Sequence, residues 1–168
     1  MRARAFVGVA LSASLIALSL GSTQAGTHSL PVAAPIVSVD LPDEWNVETE
    51  DFTIEAWPRS EDMYVSYMLV SLGEFSRAKK TWEDWASGSQ IKLLEEGKSV
   101  KKFQFEGGDS ISERWNAMDS DGPTIVMRTI LKLGESHLLF VTEYGAEAAT
   151  RQYADELRAI RRSVTKRD

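Results

Sequence analysis

The stretch from Pro123 to Tyr144 constrains this chain most. Two apolar, β-branched runs, Pro123–Leu133 and Ser136–Tyr144, flank the pair Gly134-Glu135. That pattern predicts a β-hairpin closed by a two-residue type II′ turn, with Gly134 at the position that needs φ > 0. With Leu133 opposite Ser136, Ile125, Met127, Leu131 and Leu133 share a face with Leu138, Phe140 and Tyr144. Val126, Arg128, Ile130 and Lys132 then share the other face with His137, Leu139, Val141 and Glu143. The first face is nearly all apolar and belongs to a core. The second is apolar in its middle and charged at its ends, so partial cover is expected there too. Arg128 and Glu143 fall on that second face, close enough for a structural ion pair.

The remaining elements are read around this hairpin. Gly26 to Pro35 is small and polar with two prolines and is expected to be a flexible leader. Ile36–Leu41, Trp45–Val47 and Phe52–Trp57 read as short strands, punctuated by Pro42 and Pro58. Met63–Leu72 is apolar at both parities, as a central strand covered on both sides must be. Thr81–Glu96 has Trp82, Trp85, Ala86, Ser89 and Leu93 at helical spacing, with Gly97 as the expected C-cap. Val100–Phe105 and Ser110–Ala117 read as strands joined at Gly107-Gly108, and Asp119–Gly122 as the next turn. Ala146–Val164 reads as a closing helix with the apolar stripe Ala149, Tyr153, Leu157, Ile160 and Val164. Short links between the late strands require antiparallel pairing. The expected class is therefore α+β, an antiparallel sheet flanked by helices, in one domain over residues 36–168.

Composition sets further bounds. The first 25 residues have a basic start (Arg2, Arg4), an apolar run, and small residues at Thr23 and Ala25. That is the pattern of a cleaved signal peptide, which predicts a periplasmic or secreted protein with no membrane attachment after cleavage. No cysteine is present, so neither a disulfide framework nor a lipid-bearing cysteine is available. Two of the 19 basic residues and none of the 25 acids leave with the signal, so the remainder is more acidic than the whole chain at −6. Nucleic acid is excluded as a partner on that balance. The acids are clustered: Asp40, Asp43, Glu44, Glu48, Glu50, Asp51 and Glu55 all precede Arg59. The tail is the reverse, with Arg158, Arg161, Arg162, Lys166 and Arg167. A solvated surface and a helix end complementing its dipole account for these clusters, and a docking surface is the sharper alternative.

The order of four strands, a helix, four strands and a helix carries a resemblance, together with the strand ending Leu41-Pro42, Trp45, and a final helix ending Ile160-Arg-Arg-Ser163. Over roughly residues 36 to 165 the chain resembles the PsbP-like fold, the fold of the photosystem II extrinsic protein, of a nuclear-transport factor that binds the GTPase Ran, and of bacterial exported relatives. The resemblance implies a PsbP-like α/β/α sandwich and a role in binding another protein. It carries no set of catalytic residues. Some bacterial relatives are anchored through a cysteine, which this chain lacks.

The sequence holds few chemistry-bearing motifs. No Gly-x-Ser-x-Gly elbow and no phosphate-binding glycine loop occurs. His28 falls in the leader and His137 near a strand end, neither placed as a catalytic base. Asp119 and Asp121 read as turn residues rather than as a metal loop. The chain is therefore expected to be no enzyme and to hold no cofactor and no metal, with a hydrolase as the least favoured alternative. Of the five tryptophans, Trp45, Trp82 and Trp85 read as core. Trp57 and Trp115 alternate with charged residues and are the expected anchors for an envelope protein partner, with Arg158, Arg161 and Arg162 as the basic counterpart. A second expectation is a carrier with an apolar cavity lined by Trp82, Trp85, Tyr67 and Met68.

Overall fold

The computed structural model describes residues 26–167; the expected signal segment, 1–25, lies outside them. The strands are β1 (Gly26–Leu30), β2 (Val37–Leu41), β3 (Asn46–Glu50), β4 (Thr53–Trp57), β5 (Met63–Ser71), β6 (Lys92–Phe105), β7 (Gly108–Asp119), β8 (Gly122–Leu133), β9 (His137–Ala146) and β10 (Thr165–Lys166). The helices are α1 (Phe75–Gly88), α2 (Glu147–Gln152) and α3 (Ala154–Ser163). Seven strands form one antiparallel sheet in the order β3-β4-β5-β9-β8-β7-β6, and a smaller sheet has the order β1-β2-β10. Helix α1 covers one face of the large sheet. The small sheet and α3 cover the other, so the expected α+β sandwich is present with a small sheet added to one layer.

The central hairpin differs from the sequence reading by one residue. Leu133 pairs with His137, not Ser136, so the loop is Gly134–Ser136. Gly134 does take a left-handed conformation, with φ 67°. A one-residue slip turns a strand over. Leu138, Phe140 and Tyr144 therefore join Val126, Arg128 and Ile130, whereas Leu139 and Val141 join Leu131 and Leu133. The run Leu138–Val141 is apolar at both parities, so its pattern fits either register, and the loop decides.

The face opposite α1 holds the larger core. Met63, Val65, Tyr67 and Leu69 of β5 meet Leu131, Leu133, Leu139 and Val141 there, with Ile54 and Ala56 beside them. Leu30, Val37, Val39 and Leu41 of the small sheet and Leu157 and Ile160 of α3 close over them. Buried side chains of this size are worth roughly 1.5–3 kcal/mol each, which holds the two layers together. Trp45 is pinned at the rim: its indole nitrogen donates to Glu156 at 3.0 Å, and Tyr153 meets it edge-on. The closing helix is not continuous. Tyr153, at φ −90° and ψ 13°, separates α2 from α3. Residues 26–30 are strand rather than loose leader, because Gly26–Leu30 pairs along all of β2.

On the other face, α1 begins six residues before the expected start at Thr81 and stops at Gly88. Gln90, at φ 58°, reverses the chain, and Lys92–Phe105 becomes a sheet strand. Leu93 and Leu94 thus pair with Ala117 and Asn116 in β7 instead of extending the helix. Tertiary pairing overrides a weak helical preference. Ala78, Trp82 and Ala86 are the buried stripe of α1.

Candidate functional site

Cross-strand register aligns aromatic residues in one row beneath α1. Tyr64 lies opposite Tyr144, Tyr144 opposite Val126, and Val126 opposite Trp115. The two helix indoles lie over this row. Trp85 stacks on Tyr64, with centroids 6.4 Å apart, and meets Tyr144 edge-on at 6.0 Å. Trp82 lies 5.5 Å from Trp115 and 5.9 Å from Trp85, and its nitrogen donates to the Thr142 hydroxyl at 3.0 Å. The Tyr144 hydroxyl donates to Asp119. Burial, then the charge of Asp119 after its hydrogen bond, pushes that phenol upward.

Trp115 is therefore no surface anchor. It is 3% exposed, and the sequence reading of it as a binding residue is corrected. Its alternation with Glu113 marks a buried charge pair, not solvent. Arg128 lies opposite Glu113 and donates to it through Nε at 3.1 Å and through a second nitrogen. The Arg128 guanidinium also lies 4.3 Å from the Trp82 ring centre and 5.4 Å from that of Trp115. Lys98 reaches the same carboxylate at 3.6 Å and the Trp115 ring at 4.9 Å. A two-residue turn at Ser120-Asp121, closed between Asp119 and Gly122, is the sequence signal that places Glu113 against Arg128.

The expected Arg128–Glu143 pair is absent, because the slip in register sends the two to opposite faces. Glu143 instead receives two bonds from Arg161, at 2.6 Å and 2.5 Å. Burial pushes the Glu143 carboxyl up, and Arg161 opposes that rise. Arg161 is thus a clasp between α3 and β9. Arg158 pairs with Asp155 at 2.5 Å. Arg162 is exposed and makes no ion pair among the described residues. The basic end of α3 is accordingly divided: Arg161 clasps β9, Arg158 pairs within the helix, and Arg162 faces solvent.

Trp57, by contrast, is half-buried, at the other end of the sheet. Ile54 and Ala56 of β4 point into the large core, so Thr53, Glu55 and Trp57 point to the α1 side. Helix α1 lies over β9 and its neighbours and leaves β3–β4 uncovered. This open strip carries half-buried Trp57 and Glu55 and exposed Asn46, Glu48 and Glu50. Register sets Asn46 opposite Trp57, Glu48 opposite Glu55, and Glu50 opposite Thr53. Among the described residues, none of the acids at 40, 43, 44, 48, 50, 51 and 55 lies within 4 Å of a basic group. The Tyr64 phenol at the strip's margin is pushed well above its usual range, by burial first and then by the charge of Glu55.

Other chemistry finds little support in the geometry. The His28 ring contacts the Thr49 hydroxyl at 3.4 Å and the His137 ring contacts Ser136 at 2.9 Å. Burial lowers the His28 pKa. Asp119 Oδ1 accepts the backbone N–H groups of Asp121 and Gly122, at 2.8 Å and 3.0 Å, which is turn chemistry. Among the described residues no three His, Cys, Asp or Glu side chains are grouped to hold a metal. Tyr67 and Met68 point to opposite faces, so the lining expected for a carrier cavity is not assembled. A void of about 40 Å³ lies elsewhere, between Met63, Ile125, Met127 and Thr150, room for little more than a water molecule. Among the described residues no helix is long and apolar enough to cross a membrane.

No family model and no curated protein sequence matches this chain. Solved structures do. Cyanobacterial PsbP (CyanoP) of Synechocystis superposes with a TM-score of 0.58 at 12% identity, over 92% of this chain and 98% of that one. LpqN of Mycobacterium tuberculosis, described as involved in cell envelope biogenesis, gives 0.46 at 13% identity over 77% and 82% of the two chains. A protein of unknown function from Pseudomonas aeruginosa gives 0.42 at 7% identity over 74% and 99%. The two lower scores bear no weight here. At such identity the likeness to CyanoP is one of architecture alone, and on that architecture this chain has the PsbP-like fold.

Proposed function

We propose that this chain is an exported, non-catalytic domain that binds another protein of the cell envelope through the open β3–β4 strip, with Trp57 at its centre. The observation that carries this reading is the strip itself. It combines a half-buried indole, uncovered by α1, with carboxylates that have no basic neighbour among the described residues. Aromatic side chains ringed by polar groups are the usual anchors of protein interfaces. Export rests on the pattern of residues 1–25. Gly26, the residue after the expected cleavage point, already pairs with Leu41, so cleavage there leaves β1 whole. The non-catalytic reading rests on the two histidines, whose ring contacts are hydroxyls rather than carboxylates.

The test is affinity capture from envelope extract with the processed protein and its Trp57→Ala variant, scored by quantitative mass spectrometry. At least one envelope protein is expected to be depleted with the variant. Identical sets of captured proteins overturn the role of the strip. Intact mass of the exported protein is expected to correspond to a chain beginning at Gly26.

A further inference from the structure

We propose that the occupant of the β3–β4 strip is a partner segment presenting arginine or lysine side chains, seated between the Glu48–Glu55 pair and the Trp57 ring. This rests on the protein-binding reading and names the chemistry of the partner.

Three observations lead to it. First, Glu48 and Glu55 are direct cross-strand neighbours on one face. Like charges in that position repel and destabilise the pair of strands. A sequence that keeps them there without a cation among the described residues leaves a place for one from outside. Glu50, two residues along β3, extends the same negative row. Second, Trp57 stands on the same face two residues from Glu55, roughly 7 Å away along the strand. An indole beside carboxylates attracts a guanidinium or ammonium group through its ring as well as through charge. Third, the same sheet face shows this arrangement completed. At β7–β8 the carboxylate is Glu113, the indoles are Trp82 and Trp115, and the cation is Arg128. The β3–β4 strip repeats the carboxylate and the indole in Glu55 and Trp57, and the register puts Glu48 where a cation would face Glu55.

The choice of a peptide cation over other occupants follows from the surroundings. β3 is the outermost strand of the large sheet, so an extended segment can lie along it with alternate side chains over the strip. A divalent metal takes hard oxygen donors in number. The described residues group no three such donors, and an indole adds none. A second copy of this chain offers Arg158 and Arg162 on the exposed face of α3, and the experiment separates that case.

The experiment uses the processed protein and a short capped peptide with arginine at alternate positions. The comparison ligand is the same peptide with neutral citrulline. Binding is followed by isothermal titration and by tryptophan fluorescence. The arginine peptide is expected to bind, to weaken as salt rises, and to lose about tenfold in affinity in the Glu48→Gln, Glu55→Gln double variant. The citrulline peptide is expected to bind at least about tenfold more weakly. Thermal melting controls for misfolding: the double variant is expected to melt at or above the parent temperature, because the repulsion is gone. Equal affinity of parent and double variant for the arginine peptide overturns the proposal. So does binding of spermine or calcium as tight as that of the peptide. A dimer in light scattering that the double variant abolishes assigns the strip to a second copy and also overturns it. If envelope capture changes with Trp57→Ala but not with the Glu48→Gln, Glu55→Gln variant, the protein-binding role stands and the cationic partner falls. If capture changes with neither, both fall.

Discussion

The two ends of the sheet face that carries α1 use the same residue types in opposite ways. At β7–β8, Glu113 faces Arg128, Trp82 and Trp115 enclose the guanidinium, and α1 seals the cluster from water. At β3–β4, Glu48 faces Glu55, Trp57 stands beside them, and no helix arrives. The first end spends its aromatic and charged groups on holding the helix to the sheet. The second leaves them facing solvent. Indoles and acids in alternation therefore do not announce a surface. What separates a core from a surface here is whether the cross-strand partner has the opposite charge and whether a helix lands above.

The largest effect expected from breaking this comparison is at Arg128. Replacing it with alanine leaves Glu113 with only the longer contact to Lys98 at 3.6 Å and opens the stack between two indoles, at a cost of about 3–5 kcal/mol in urea unfolding for lost pairing and packing together. Next comes the contrast of the two tryptophans. Trp115→Ala is expected to cost about 3–4 kcal/mol as a core truncation, and Trp57→Ala about 1 kcal/mol or less. Equal losses would show that the two ends are alike after all.

A smaller effect is expected at the clasp of the opposite face. Arg161→Ala removes the partner of Glu143, whose side chain is 6% exposed against 44% for Arg161. The exposure of the arginine screens the pair, so the loss near neutral pH is about 1–2 kcal/mol. Its pH dependence has a definite sign. The native carboxyl of Glu143 is raised by burial, so the folded protein holds that proton more tightly than the unfolded chain. The contribution of this group to stability is full below the unfolded value and falls away as pH rises through the native one. Without Arg161 the native value rises further. The gap between variant and parent should thus narrow as pH falls into the acid range, as read by urea midpoints across pH.

The smallest effect sharpens the comparison directly. Glu48→Lys supplies the cation that β3–β4 lacks and should stabilise the protein by about 0.2–0.5 kcal/mol, while abolishing binding of an arginine peptide. A variant that unfolds more easily would place Glu48 away from Glu55 in solution.

Much of this architecture was legible in the residues. β1, β10 and the Lys92–Leu94 start of β6 become strands only through pairing with β2 and β7, whereas most strands, the glycine of the central loop and the core stripe Leu157 and Ile160 follow from local pattern. The register of β8 on β9 does not, because Leu138–Val141 satisfies both parities. The burial of Trp115 does not either, since it depends on a helix placed there by residues 75–88. Two further pairings are set by short turns alone. The two-residue turns at Asp51-Phe52 and Ser120-Asp121 already set Glu48 against Glu55 and Glu113 against Arg128. Short turns fix distant neighbours, and neighbours fix electrostatics.

The small sheet joins the two ends of the described chain. β2 is flanked by β1, which starts at Gly26, and by β10 at Thr165–Lys166, where the Arg167 amide also donates to the Ile36 carbonyl at 2.7 Å. Without residues 160–167 the molecule lacks α3's Ile160 and the strand that borders β2. Val39 and Leu41 then have no finished lid. Neither described terminus can peel away alone: both are spliced to the same strand, so loosening either one thins the cover over a single shared core.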